Sequence, residues 1–273
     1  MQEARKQSYL PDANRLSLLS ATILLAYAMA RFINLPAPEK AIEFFGMHLS
    51  LGINANTIVT LVVAGLTATG AHQLLRDHPA IQKGHTFQHW FFPALTAWVI
   101  GIPLFQLPLS PLWWIGFTLG GALLMLVLVA EFIVVDPEDS RFYPAAAGLT
   151  AVSFALFLTL AIALRYAGTH LLLNVLVLSL ASGVVSLRVL HLRIHTQWSY
   201  SQAFVIALII GQLALGLYYW PMLPVSYGLA LLGPAYSITS LAGNLAEGEP
   251  VRIAVVEPIV VLILVWGAAI WIL

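Results

Sequence analysis

The chain contains no cysteine. That excludes disulfide staples, thiolate-held metal clusters and any cysteine nucleophile. Charge is scarce as well: Asp, Glu, Lys and Arg make up 9% of the 273 residues, against about 25% in soluble domains. A water-soluble fold so poor in charge could not cover its surface. The twelve basic and twelve acidic residues cancel, so no field favours a nucleic-acid partner. There is no phosphate-binding Walker loop, no nucleophile elbow and no His-Glu-x-x-His zinc site. The lysines, Lys6, Lys40 and Lys83, all fall outside the apolar runs described below, which excludes a retinal Schiff base.

What the chain has in quantity is apolar residues, 60% of the total. A membrane-crossing helix needs about 20 mostly apolar residues. That rule predicts nine spans, at Leu16–Leu35, Leu51–Leu74, Trp90–Leu107, Leu112–Val135, Ala145–Leu164, Leu171–Leu187, Ala203–Trp220, Pro224–Leu241 and Ile253–Leu273. The expected fold is all-α, a polytopic transmembrane helix bundle. Residues 1–15 read as a cytoplasmic tail and 16–273 as a single helical domain. Ala28-Met29-Ala30 resembles a signal cleavage site, but the apolar run continues past it, so the first run reads as a retained helix. The eighth span is the weakest, because Gly228, Gly233 and Pro234 interrupt it, and it is expected to be kinked, broken or re-entrant.

Loop charge tests the count independently. With nine spans, the N-terminus and every second loop share one side. That side holds Arg5, Lys6, Arg15, Arg76, Lys83, Arg141, Arg188, Arg193 and Arg252; the other holds Arg31, Lys40 and Arg165. Basic residues concentrate in cytoplasmic loops, which places the N-terminus in the cytoplasm and the C-terminus outside. The longest outer loop, Pro36–Ser50, carries Ala41, Ile42, Phe44 and Phe45 and reads as a short interfacial helix. Trp90, Trp113, Trp114, Trp198, Trp220 and Trp271 fall near span ends, where aromatic belts sit. Gly116-x-x-x-Gly120 and Ala207-x-x-x-Gly211 permit close helix approach, within the chain or between chains.

Candidates for chemistry cluster on the inner face. His85/His89 and His191/His195 are i, i+4 pairs, a spacing that puts two imidazoles on one helix face within reach of a metal or cofactor. His72, His78, Asp136, Glu138 and Asp139 lie on the same side. Polar residues belong at such helix ends in any case. Arg188, His191 and His195 form a polar stripe opposite Leu187, Leu190 and Ile194, as an amphipathic helix end does without any ligand. Two same-face ligands fall short of the three or four a metal requires, so no tightly bound metal is expected at either pair. Glu131 lies six residues inside the Pro137 end of its span, roughly 9 Å along the axis. A carboxylate at that depth should face protein and find a polar partner, or serve as a proton or substrate site. Glu257, just before Pro258, is shallower. Gln212 and Asn174 are expected to hydrogen-bond across helices, and Arg31 to snorkel outward.

The stretch Glu-Phe-Ile-Val-Val-Asp-Pro-Glu-Asp-Ser-Arg-Phe-Tyr-Pro-Ala-Ala-Ala, Glu131–Ala147, resembles uncharacterised multi-pass membrane proteins of bacteria. The resemblance implies a bacterial inner (plasma) membrane location and no activity. The layout, with polar inner loops after the second and sixth helices, is similar to that of the membrane prenyltransferases. That family holds a magnesium diphosphate on Asp-rich loops. Here the second loop offers only Asp77 and the sixth no carboxylate, so the activity does not carry over. The leading reading is a non-catalytic subunit or scaffold in a larger membrane complex, with lipid and other membrane subunits as partners and no cofactor implied by any motif. Two others stay open: a membrane-embedded enzyme or binder of a lipophile using the His/carboxylate face, and a small transporter using Glu131 and Gln212.

The nine-span topology has a direct test. Reporter fusions after Gln82, Glu138 and Glu247 should all report cytoplasm, and one after Leu273 the exterior. A cytoplasmic Leu273 would show that the parity of the count is wrong.

Overall fold

The computed structural model describes residues 11–32, 42–44, 47–49, 55–76, 90–194 and 198–272. The helices are α1 (Ala13–Phe32), α2 (Ala55–Arg76), α3 (Phe91–Gln106), α4 (Pro111–Ile133), α5 (Phe142–Tyr166), α6 (Leu171–Ile194), α7 (Tyr200–Tyr218), α8 (Pro224–Ala246), α9 (Val251–Ala254) and α10 (Val256–Trp271). The α9 turn leads into α10 with one residue between them, so the two occupy the ninth predicted span. Among the described residues six stretches are long and apolar enough to cross a membrane: Ile58–Arg76 of α2, then α4, α5, α6, α7 and Val251–Trp271. The architecture is a multi-pass helical bundle, as the apolar runs predict. One expectation fails. Where the first outer loop was read as a short helix, Ile42–Phe44 (β1) and Met47–Leu49 (β2) pair as antiparallel strands, Glu43 opposite His48. The alternating pattern Ile-Glu-Phe and Met-His-Leu suits a strand at least as well as a helix turn.

The helices fall into two compact units, residues 1–140 and 141–273. In the first, Ile23 and Tyr27 of α1, Val63, Ala71 and Leu75 of α2, Ala97 of α3, and Leu124 and Leu128 of α4 make the core. Gly101 lets α3 approach closely: a Cβ there would run into Thr60 and come within 2.9 Å of Tyr27. The Tyr27 hydroxyl donates to the Ala97 carbonyl on the neighbouring helix. Gly120 lies against Ile100, so the Gly116/Gly120 motif seats α4 on α3 of the same chain. Trp113 is no belt residue. It is buried, and its Nε1 donates to the Leu104 carbonyl at 2.9 Å. Of the other tryptophans expected in the belts, Trp114, Trp220 and Trp271 are exposed.

In the second unit α6 and α7 form a tight pair. Gly183 faces Ala207 and Gly211 faces Ser179, each with its added Cβ only 3.1–3.2 Å away. The Ser179 hydroxyl donates to the Ala207 carbonyl at 2.8 Å. The Ala207/Gly211 motif is thus also spent within the chain. At the far end Arg165 of α5 donates to the Tyr218 and Trp220 carbonyls, both at 2.7 Å, and so neutralises the carboxyl end of α7. Tyr227 of α8 donates to Asn174 Oδ1 of α6 at 2.8 Å beside it.

The eighth span is not broken. It is one continuous helix of 23 residues, about 34 Å long at 1.5 Å per residue, and it is the hub of the unit. Its glycines, read as interruptions, are approach points. Gly228 lies against Ile162 and Leu158 of α5, Gly233 against Trp266 and Leu262 of α10, and Gly243 beneath Arg193 of α6. Its low apolar content follows from this position: a central helix needs small residues and donors, and it meets little lipid.

Prolines set the α8–α10 contact. Pro234 lies inside α8 and has no N–H, so it cannot bond the carbonyl four residues earlier, at Ala230. The indole Nε1 of Trp266 in α10 donates to that carbonyl at 3.1 Å. Pro258 in α10 leaves the Ala254 carbonyl without its helical donor in the same way, and there the Asn244 amide of α8 donates at 3.0 Å. Each helix supplies the bond the other's proline lacks. Ser237 adds a bond to the Pro258 carbonyl at 2.8 Å. An orphan carbonyl in a protein interior costs about 1–3 kcal/mol, and more in hydrocarbon. Trp266→Phe should therefore lower stability by about 1–3 kcal/mol in a reversible unfolding titration. In a Pro234→Ala background, where residue 234 regains its N–H, the same change should cost well under half as much.

Candidate functional site

One end of the second unit gathers a cluster of polar side chains. The carboxyl ends of α6 and α8 and the amino end of α10 meet there. Residues 236, 240 and 244 recur every fourth position and so share one face of α8. The Tyr236 hydroxyl donates to Glu257 Oε1 at 2.5 Å and the Ser240 hydroxyl to Oε2 at 2.7 Å. Arg193 Nη1 donates to Asn244 Oδ1 at 2.7 Å and to the Ser240 carbonyl at 3.3 Å. Its Nε stands 4.0 Å from Glu247. Glycine at 243 makes the guanidinium's position possible, because a Cβ there would lie 2.6 Å from Nη1. Deeper in the same seam Ser186 and Thr239 share a hydrogen bond of 2.8 Å.

One guanidinium thus serves a carboxamide, a backbone carbonyl and a carboxylate, while a second carboxylate takes two hydroxyl donors. Glu257 remains exposed. Each carboxylate oxygen has two acceptor sites, so Glu257 can still receive a cation or donor from outside the chain. Among the described residues no group of three or more His, Cys, Asp or Glu is placed to hold a metal ion.

The other predicted residues fall out as follows. His85, His89 and His195, with His78, lie outside the described residues, and so does the side chain of Arg31. His191 stacks on Trp198, ring centroids 3.8 Å apart. Arg188 does not belong to an exposed stripe: it is 3% exposed and Leu190 is fully buried. The reason is that α6 packs against α5, α7 and α8 at once, which leaves no free polar face at that height. Glu131 is 1% exposed, so it faces protein and not lipid. Asn174 bonds across helices through Tyr227, but Gln212 is exposed. Gly211 faces α6, and the next residue turns about 100° away from that seam. Gln212 is thus a poor candidate for an interior transport site. Tyr236, Ser240 and Asn244 were missed by sequence reasoning. The signal that could have found Asn244 is the proline at 258, which demands a foreign donor for residue 254.

These features define a multi-pass membrane protein whose helices lie against lipid. Residues 35–272 match the model of a family described as a protein of unknown function, DUF5656, and the chain belongs to that family. No curated protein and no solved structure matches it.

The burial of Glu131 generates a prediction. Glu131→Gln keeps a hydrogen-bonding group without the charge and should leave folding largely intact. Glu131→Leu should cost about 1–3 kcal/mol, read as a lower melting temperature in detergent. Equal losses in both variants would show that the charge itself is what the fold requires.

Proposed function

We propose that this chain is a non-catalytic subunit or scaffold of a larger membrane complex. One observation carries the reading: seven polar side chains within the helices are spent on bonds to other helices of the same chain. Tyr27, Trp113, Asn174, Ser179, Tyr227, Asn244 and Trp266 all bond this way. The outward faces of α4 and α10 carry large apolar side chains, with Leu119, Ile263 and Leu264 each more than 60% exposed. Such a chain offers its neighbours a rigid shape and apolar area. We place it in the bacterial inner membrane, with the Arg193 end of the second unit on the cytoplasmic side. Arg141, Arg188, Arg193 and Arg252 belong to that end and only Arg165 to the other, in keeping with the basic-residue rule.

A second reading has its own observation. The exposed Glu257 carboxylate, with Tyr236 and Ser240 fixing its oxygens, suits the cationic or hydroxyl head of a lipophile.

Native mass spectrometry of the protein extracted in polymer-bounded native membrane discs separates the two. The scaffold reading expects a fixed stoichiometric assembly larger than the 29.7 kDa chain, unchanged by Glu257→Gln. A lone chain carrying a small molecule that Glu257→Gln releases would replace it with the second reading.

A further inference from the structure

The α9 turn is fastened at one residue. Val251 and Ile253 are more than 60% exposed, and Ala254 alone of its four residues is fully buried. Pro258 has removed the helical bond that would tie the Ala254 carbonyl into α10. What replaces it comes from Asn244, which donates through Nδ2 at 3.0 Å. A carboxamide has an acceptor and a donor end and can present either by rotating half a turn. In this structure the choice is fixed from the other side. Arg193 has only donors and donates to Asn244 Oδ1 at 2.7 Å. Rotating the amide would set its NH₂ against the guanidinium and its oxygen against the Ala254 carbonyl, two repulsive contacts at once. Arg193 in turn is seated on α8 by Gly243, the Ser240 carbonyl and Glu247.

We propose that α9 is a hinged segment whose angle on α10 is set by the end of α6, through the orientation of the Asn244 amide. While Arg193 is seated, the amide donor faces α9 and the turn is closed onto α8. When Arg193 is drawn away, the amide keeps only the Glu257 carboxylate beside its NH₂ end to orient it, its bond to the Ala254 carbonyl weakens, and the turn opens at Val255. Movement at the carboxyl end of α6 is thereby converted into movement at the amino end of α10.

Hydrogen–deuterium exchange of the full chain in lipid nanodiscs tests this. The reporters are the Ile253, Ala254 and Val255 amides, which bond Pro250 and Val251 carbonyls at 2.9–3.2 Å. Asn244→Asp keeps the acceptor for Arg193 and loses the donor. It should raise exchange across 250–258 about tenfold and leave residues 226–238 unchanged. Arg193→Met should raise exchange in the same segment with Asn244 intact. In a Pro258→Ala background both changes should have little effect there, because residue 258 then bonds Ala254 itself. If Asn244→Asp alone fails to fold, the comparison of Pro258→Ala with the double variant still decides. Effects that persist undiminished in the Pro258→Ala background would overturn the proposal, as would an Arg193→Met variant whose 250–258 exchange is unmoved.

Discussion

A backbone carbonyl without a donor is tolerable in water and costly in hydrocarbon, and the second unit is organised by that constraint. Two prolines within its helices each create one such carbonyl, at Ala230 and Ala254. The donors that answer them, Trp266 and Asn244, come from the opposite helix. The exchange fixes the rotation of α8 against α10, because the indole and the amide must each point at one atom. It also fixes the axial register, since both bonds must form in one docking. Apolar packing between two membrane helices would leave both freedoms open, as lipid is as good a neighbour as leucine.

The same constraint explains the composition of α8. A helix that receives α5, α6, α7 and α10 on different faces has little lipid to meet, and apolar bulk would hold its neighbours away. Gly228, Gly233 and Gly243 bring three of them close. Ser237, Ser240 and Asn244 bond them. The seam of Ser179, Gly183, Ala207 and Gly211 between α6 and α7 repeats the device with small residues only. Among the long helices of the second unit, the one that falls short of a lipid-crossing hydropathy is the one the others surround.

Much of the fold was legible in the sequence, because the helix positions follow from apolar run length and the loops from proline and charge. The small-residue motifs were legible as contacts but not as contacts within one chain, since spacing does not name the partner. The outer loop was misread because an apolar–polar alternation of three residues fits helix and strand alike. The eighth helix was misread because hydropathy records affinity for lipid and not for protein. Of the candidate site, Glu257 was visible as a carboxylate beside a proline. Tyr236, Ser240 and Asn244 were not, because hydroxyls and amides are common in membrane helices and become a cluster only once α6, α8 and α10 share an end. Gln212 erred the other way: a mid-span amide reads as interior, and only the rotation of α7 about Gly211 shows that it points out.

The exchange between α8 and α10 also bears on synthesis. Ala230 and its donor Trp266 are 36 residues apart in the chain. At 5–20 residues per second, roughly 2–7 s pass between them. Through that interval the Ala230 carbonyl of α8 has no donor yet made to answer its proline. Helices α5, α6 and α7 are already made by then, and their glycine and hydroxyl contacts can shelter it. The order of synthesis thus makes α10 the last of the partners of α8 described above to arrive.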